Sequence, residues 1–128
     1  FERWYTLRRA VRRDRLIPLD ELLIRSPQEY LGASKTQLLT YYSQVWALTL
    51  FLMQEQHRDA LEDVLADAAS GRLMSAIRAE SPRGRRPINI GPALVSAYFA
   101  DDLNAFESEY HAFVRELAGP RRYNGGRR

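Results

Sequence analysis

The stretch YYSQVWALTLFLM, residues 41–53, is the most apolar run in the chain and opens on two adjacent tyrosines. Apolar side chains lie nearly all the way round a helix of this sequence, which predicts a buried central helix with other helices packed on several sides. We expect this helix over about residues 37–56. Its tyrosines can be core aromatics that keep their hydroxyls near the surface, or one of them can take part in chemistry.

Helix patterns recur on both sides of this stretch, and no alternating strand pattern of useful length is present. They predict an all-α fold, an irregular bundle of about five to seven helices around the central one. Before the central helix, the signals are an apolar face of Trp4, Leu7 and Val11, a short helix opened by Pro18, and a helix start at Ser26 and Pro27 with Glu29 closing a capping box. After it, a helix from Asp59 stops at Gly71, and a short helix follows near residues 72–80; the apolar residues of the Asp59 helix are Leu61, Val64, Leu65 and Ala68. The last helix starts near Asp101 or Asp102 and ends at Gly119, and its apolar residues are Leu103, Phe106, Tyr110, Phe113, Val114 and Leu117.

The chain length of 128 residues, 45% of them hydrophobic, suits one compact domain with a real core. We expect a single helical domain over residues 1–119, with a loop at residues 81–92 and a disordered Arg/Gly tail at residues 120–128. Because the chain begins at Phe1, we interpret it as a piece of a longer protein. A signal peptide could lie upstream, so the sequence leaves the compartment open.

Self-contained catalysis has no support in the residue types present. Without cysteine, disulfides, thiolate catalysis and cysteine metal sites are excluded. His57, expected at the frayed end of the central helix, and His111, on the last helix, belong to no H-E-x-x-H motif. We interpret both as surface or boundary residues rather than ligands. Glu107 and Glu109 are two residues apart and therefore point in different directions on a helix, which argues against a catalytic dyad.

Arginine-rich segments at residues 7–15 and 82–87 allow three interpretations: a grip on nucleic-acid phosphates, a solvated surface, or the lining of a cleft. The chain holds 19 Lys+Arg against 16 Asp+Glu, a net charge of only +3, so we favour the solvated surface and expect no nucleic-acid partner. Four polar residues interrupt the apolar run at residues 38–53, which falls short of the roughly 20 apolar residues of a membrane span.

Four segments in this order resemble a known family: RRAVRRDRLIPLDELL at 8–23, SPQEY at 26–30, YYSQVWALTLFLM at 41–53 and DLNAFESEYHAFVREL at 102–117. Together they resemble the C-terminal part of a bacterial, peptidase MA-like metallopeptidase domain family, formerly of unknown function and related to the gluzincin zinc peptidases. The resemblance covers roughly residues 3–118, and its most specific pieces are residues 16–23 and 42–52.

The resemblance implies a helical portion that is inactive alone and forms one wall of an active-site cleft. In such proteins the H-E-x-x-H helix and the glutamate ligand lie upstream, so zinc is implied for the full-length protein and no cofactor for this chain. The implied partners are the upstream catalytic segment of the same protein and a peptide substrate. Whether the parent protein is an active enzyme stays open.

The resemblance also assigns a role to Tyr42. In aminopeptidase-N-like gluzincins, a Tyr-Glu-Lys-Gly-x-Ala-Leu segment supplies a tyrosine that stabilises the oxyanion of the tetrahedral intermediate. Tyr42-Ser-Gln-Val-Trp-Ala-Leu is similar to it: the Tyr, Ala47 and Leu48 match, and the Glu, Lys and Gly do not. The resemblance therefore implies that Tyr42 is the oxyanion stabiliser. The structural alternative is that Tyr42 only packs beside Trp46.

A different class of function also fits the sequence. The chain can be a helical protein–protein interaction module without a catalytic role, which docks through the exposed side of the central helix or through the Trp4 face. Trp4 and Tyr5 would then be the anchor residues, since aromatic side chains dominate binding hot spots.

Overall fold

The computed structural model describes residues 2–32, 34–79 and 90–119, and within these ranges the chain is all-α, as predicted. The described residues contain eight helices and no strand, one helix more than expected. These are α1 (Glu2–Arg12), α2 (Leu19–Ile24), α3 (Gln28–Leu31), α4 (Lys35–Leu52), α5 (Glu55–Ser70), α6 (Leu73–Ala79), α7 (Ile90–Tyr98) and α8 (Leu103–Leu117). The predicted tail at residues 120–128 and most of the predicted loop at residues 81–92 lie outside the described ranges.

Helix α4 is the centre of the bundle and contacts α1, α2, α3, α5 and α8. It begins after Ser34, whose side-chain oxygen accepts the backbone N–H of Gln37 at 3.1 Å. It ends at Leu52, earlier than the predicted boundary near residue 56, because the backbone at Gln54 is extended (φ −64°, ψ 154°) and starts α5 instead. The central helix therefore exists as predicted, shifted toward the N-terminus.

The core forms where α1 and α8 pack against α4. Leu7 of α1 is fully buried, and the indole N–H of Trp4 donates to the carbonyl oxygen of Leu117 on α8 at 2.9 Å. The apolar face predicted for the first helix is therefore covered by the domain itself. The buried apolar side chains are Leu7, Ile17, Leu19, Leu22, Tyr30, Tyr41, Ala47, Phe51, Val95, Phe106, Tyr110, Val114 and Ala118.

Several local signals place helix ends correctly. Pro18 precedes α2, Asp102 caps α8 by accepting the N–H of Asn104 at 3.0 Å, and Gly71 ends α5 in the left-handed region at φ 79°. At the start of α3, Glu29 accepts the backbone N–H of Ser26 at 2.7 Å, which is one half of the predicted capping box. The helix begins at Gln28 with Pro27 as its cap residue, one residue later than predicted.

Two helices differ from the prediction. Helix α5 begins at Glu55 rather than Asp59, and Leu65, expected on its apolar stripe, is 61% exposed because few helices pack against this side. Helix α7 falls where no helix was expected. Its Gly91 lies so close to α2 that an added Cβ would be 2.8 Å from the Cβ of Leu23. Tertiary packing therefore stabilises a helix that its Gly-Pro sequence does not favour.

Candidate functional site

The two adjacent tyrosines of α4 lie in different environments. Tyr41 is buried, with its ring 5.1 Å from that of Tyr30, and its hydroxyl lies 3.4 Å from the carbonyl oxygen of Arg25. Burial, and to a lesser extent the nearby Tyr42 and Glu29, raises the pKa of the Tyr41 phenol. Tyr41 is thus a core residue that joins α4 to α3 and the end of α2.

Tyr42 points away from the bundle. Its side chain is 49% exposed, and its hydroxyl makes no hydrogen bond with any residue that the structure describes. Its ring contacts that of Tyr41 edge-on, with centroids 5.6 Å apart and planes at 73°. The aromatic neighbour is therefore Tyr41 rather than Trp46, the residue that the packing alternative named. A phenol in this position has a hydroxyl free to meet a ligand or another segment.

Tyr42 belongs to the one side of α4 that the other described helices leave open. Along this side Tyr42 and Met53 are about half exposed, Thr49 is exposed, and Val45 and Trp46 are half-buried. The spacing of three, four and seven residues places these side chains on a single face. We call this surface, formed by Tyr42, Val45, Trp46, Thr49 and Met53, the tyrosine face. Apolar side chains that stay exposed on one helix face make this surface a candidate interface region, while Val45 and Trp46 also pack against the core.

The opposite side of α4 is held in place by a buried amide. Gln44 has no exposed surface: its side-chain oxygen accepts the N–H of Ile17 at 2.7 Å, and its side-chain N–H donates to the carbonyl oxygen of Ile17 at 3.0 Å. The hydroxyl of Tyr110 donates to the backbone carbonyl oxygen of Gln44 at 2.7 Å. Sequence reasoning missed this residue, although an amide within the most apolar run was a visible signal. These bonds make the helix that carries Tyr42 a rigid support.

The prediction that His57 lies at the frayed end of the central helix is wrong. It lies in the first turn of α5 and is 8% exposed, with ring centroids 4.7 Å from Phe51, 5.5 Å from Phe106 and 5.9 Å from Phe99. Its Nε2 is 3.9 Å from a carboxylate oxygen of Glu109 and has no hydrogen-bond partner among the described residues. The turn at Gln54 folds α5 back over the core, which is why this histidine is buried.

His111 lies on α8 with its Nε2 at 3.9 Å from a carboxylate oxygen of Glu107. Burial lowers the pKa of His111 despite the opposing effect of Glu107. The same carboxylate accepts the N–H of Leu19 at 2.5 Å and so caps the start of α2. Because Glu107 faces α2 while Glu109 faces His57, the two carboxylates serve different contacts and do not form a pair.

The described residues do not bring together the donor groups required for zinc. Across residues 2–32, 34–79 and 90–119, no group of three or more His, Asp or Glu side chains is arranged to hold a metal ion. The zinc that the resemblance implies for the full-length protein therefore has no fitting site among these residues. Over the same part of the chain, no helix combines the length and the apolarity needed to cross a bilayer.

The Trp4 face, expected as an alternative docking surface, is largely covered by the domain, with Leu7 buried and Trp4 and Val11 half-buried. Leu7 is fully buried, and Trp4 is bonded to Leu117 and also carries the guanidinium of Arg8 at 5.2 Å from its ring centroid. Tyr5 alone of the proposed anchors is well exposed, at 64%. The exposed side of the central helix is therefore the better candidate for a docking surface.

Comparison with known proteins gives the chain no relatives: no family model, no curated protein and no solved structure matches it.

Proposed function

We propose that this chain is the helical C-terminal portion of a gluzincin-like zinc metallopeptidase and forms one wall of its active-site cleft. The observation that carries the proposal is the separation of the two tyrosines: Tyr41 is buried in the core, while Tyr42 holds its hydroxyl outside the bundle without a partner among the described residues. Tyr42 is also the residue that the family resemblance selects. By itself the chain is not an enzyme.

In this proposal Tyr42 donates its phenolic proton in a hydrogen bond to the oxyanion of the tetrahedral intermediate. A donor stabilises a transition state best when it does not have to reorganise, and α4 is fixed on its far side by the bonds of Gln44 to Ile17 and Tyr110. The general base and the metal that activates water would belong to the upstream segment.

The rest of the tyrosine face supports the same proposal. Met53 is 53% exposed and Val45 and Trp46 are half-buried, so the described residues leave apolar area uncovered beside Tyr42. An upstream segment seated along this face would remove that area from water, and a peptide could lie between the two parts against Tyr42.

The test uses the longest natural protein that contains these residues, assayed for zinc content and peptide hydrolysis. Removing one oxyanion donor should lower kcat by about 10²–10³-fold in the Tyr42→Phe variant, without changing zinc content or thermal stability. Tyr5→Phe, at a 64% exposed tyrosine outside the tyrosine face, is the matched control and should retain full activity. Absence of zinc, or full activity of Tyr42→Phe, would refute the proposal.

The interaction module is the second candidate, and the same uncovered face favours it. A docking surface needs an apolar centre with an aromatic anchor, which Trp46 and Tyr42 provide. The two candidates differ in the encoded sequence upstream of Phe1, where the peptidase requires an H-E-x-x-H motif and a further glutamate. If that sequence lacks both, the tyrosine face is a protein-docking surface.

A further inference from the structure

A second surface feature lies away from the tyrosine face. A cleft of about 650 Å³ lies between the C-terminal end of α1, the connection to α2 and the first turns of α4. Thr36 and Thr40 line it from α4. Thr40 lies about 200° round the helix from Tyr42, and Leu39, which also lines the cleft, lies three residues before Tyr42; none of the five residues of the tyrosine face lines the cleft. Because Tyr42 does not line the cleft, a ligand bound there does not require the role proposed for Tyr42.

Three arginines line the cleft: Arg9, Arg13 and Arg15. Arg13 directly follows α1, and its N–H donates to the carbonyl oxygen of Arg9 at 3.0 Å, so the two residues are one helical turn apart and point to the same side. Among the residues that the structure describes, no carboxylate oxygen lies within 4.0 Å of any of the three. Their charge is therefore not neutralised by ion pairs within this part of the chain.

The carboxylates at the cleft do not cancel this charge. Glu21 lines the cleft but already forms an ion pair with Arg25 at 2.7 Å. Asp14 is the other acidic lining residue, and it lies in the turn between Arg13 and Arg15. The cleft therefore holds three guanidinium groups and one carboxylate, that of Asp14, that forms no ion pair with the described residues. This leaves the cleft with an excess of positive charge.

The turn after α1 explains why arginines before and after the turn line the same cleft. Asp14 adopts the left-handed conformation at φ 53°, its N–H donates to the carbonyl oxygen of Val11 at 3.2 Å, and the N–H of Arg15 donates to that of Ala10 at 2.8 Å. These are the two bonds of a Schellman motif, in which glycine is the usual left-handed residue. The turn reverses the chain direction. Arg13, directly after α1, and Arg15, in the connection to α2, therefore line the same cleft.

The opposite wall adds neutral hydrogen-bonding groups. Thr36 and Gln37 lie in the first turn of α4, where backbone N–H groups carry partial positive charge. Thr6 of α1 adds a further hydroxyl. The cleft thus combines guanidinium groups, hydroxyls and a helix start, and its volume is in the range of small-molecule sites. Guanidinium groups bind phosphate and carboxylate oxygens in pairs.

We propose that this cleft binds a small polyanion whose phosphate or carboxylate groups are held by Arg9, Arg13 and Arg15. Pyrophosphate and citrate are the probes, because they present the two oxyanion types at similar size. Isothermal titration calorimetry on the 128-residue chain, at fixed ionic strength, should detect binding of at least one probe, and the tighter one identifies the oxyanion type.

The cleft variant is R9Q combined with R13Q, and the control is R3Q combined with R12Q. Arg3 and Arg12 are exposed on the same helix and do not line this cleft, so both variants lose the same charge. Loss of charge-assisted hydrogen bonds should weaken binding by about 10-fold or more in the cleft variant and by about 2-fold or less in the control. The single variant R15Q, outside α1, should also weaken binding if the double variant does not fold.

Equal weakening in the cleft and control variants would show nonspecific attraction to a basic surface and overturn the proposal. Absence of binding of both probes at millimolar concentration would overturn it as well.

Discussion

The side-chain amide of Gln44 forms two hydrogen bonds with the backbone of Ile17, accepting its N–H at 2.7 Å and donating to its carbonyl oxygen at 3.0 Å. Ile17 lies in the connection between α1 and α2, where neither group has a backbone partner among the described residues. Because both atoms are buried, this amide replaces the pairing that a second backbone segment would provide. One side chain thus fixes the central helix to a connection 27 residues away in sequence.

Replacing this amide should destabilise the domain strongly. Gln44→Leu keeps a side chain of similar size but leaves the N–H and C=O of Ile17 buried without partners, at about 1–3 kcal/mol for each group. We expect the free energy of unfolding to fall by about 2–4 kcal/mol, measured by urea denaturation. Gln56→Leu, at an exposed glutamine of α5, is the control and should change stability by about 0.5 kcal/mol or less. Similar small losses in both variants would contradict a structural role for Gln44.

The two tyrosines of α4 should differ in their contribution to stability. Tyr41→Ala removes a buried aromatic ring that packs on Tyr30, and we expect a loss of about 2–4 kcal/mol. Tyr42→Ala removes a half-exposed ring and should cost about 1 kcal/mol or less. Thermal and chemical unfolding of the two variants give the comparison. If Tyr42→Ala is the more damaging change, Tyr42 is a core residue, and activity loss in its variants would no longer indicate chemistry.

The close approach of α7 to α2 should make substitution of Gly91 destabilising. In Gly91→Ala the new Cβ would lie 2.8 Å from the Cβ of Leu23, so one helix must shift, at about 1–3 kcal/mol. Gly32→Ala is the control, because nothing lies within 4 Å of the position that its new methyl carbon would take, and its φ of −88° suits any residue. Unfolding midpoints should fall for Gly91→Ala and stay within error for Gly32→Ala. Equal midpoints would mean that α7 can move without cost.

The half-buried histidine of α8, His111, should make stability depend on pH. Burial holds the pKa of His111 below its ordinary value of 6.5 in the folded chain, so below about pH 6.5 the unfolded chain binds the proton more readily. The free energy of unfolding should therefore decrease as the pH falls from about 7 toward about 5. His111→Gln cannot take up this proton and should show a smaller decrease over the same window. An unchanged slope in this variant would assign the effect to other groups.

Local sequence signals predicted much of the fold. A helix end depends on backbone groups and φ angles within one or two turns of it, so a single residue can mark it. The residues that did so are Pro18 before α2, Gly71 after α5 and Asp102 before α8. The all-α class and the existence of a central helix followed from periodicity in the same way. Helix α7 and the start of α5 were not predicted, because packing against distant residues stabilises the first and the extended backbone at Gln54 sets the second.

The candidate site was predictable only in part. The helical period of the sequence determined that Tyr41 and Tyr42 point about 100° apart, while the role that the resemblance implies for Tyr42 stays a prediction. Only the tertiary structure decided which of them is buried, that His57 lies among phenylalanine rings, and that Arg9, Arg13 and Arg15 share a cleft. Periodicity gives the angle of each side chain round its own helix. Which of these side chains are buried depends on residues far away in sequence, as in the hydrogen bond between Trp4 and Leu117.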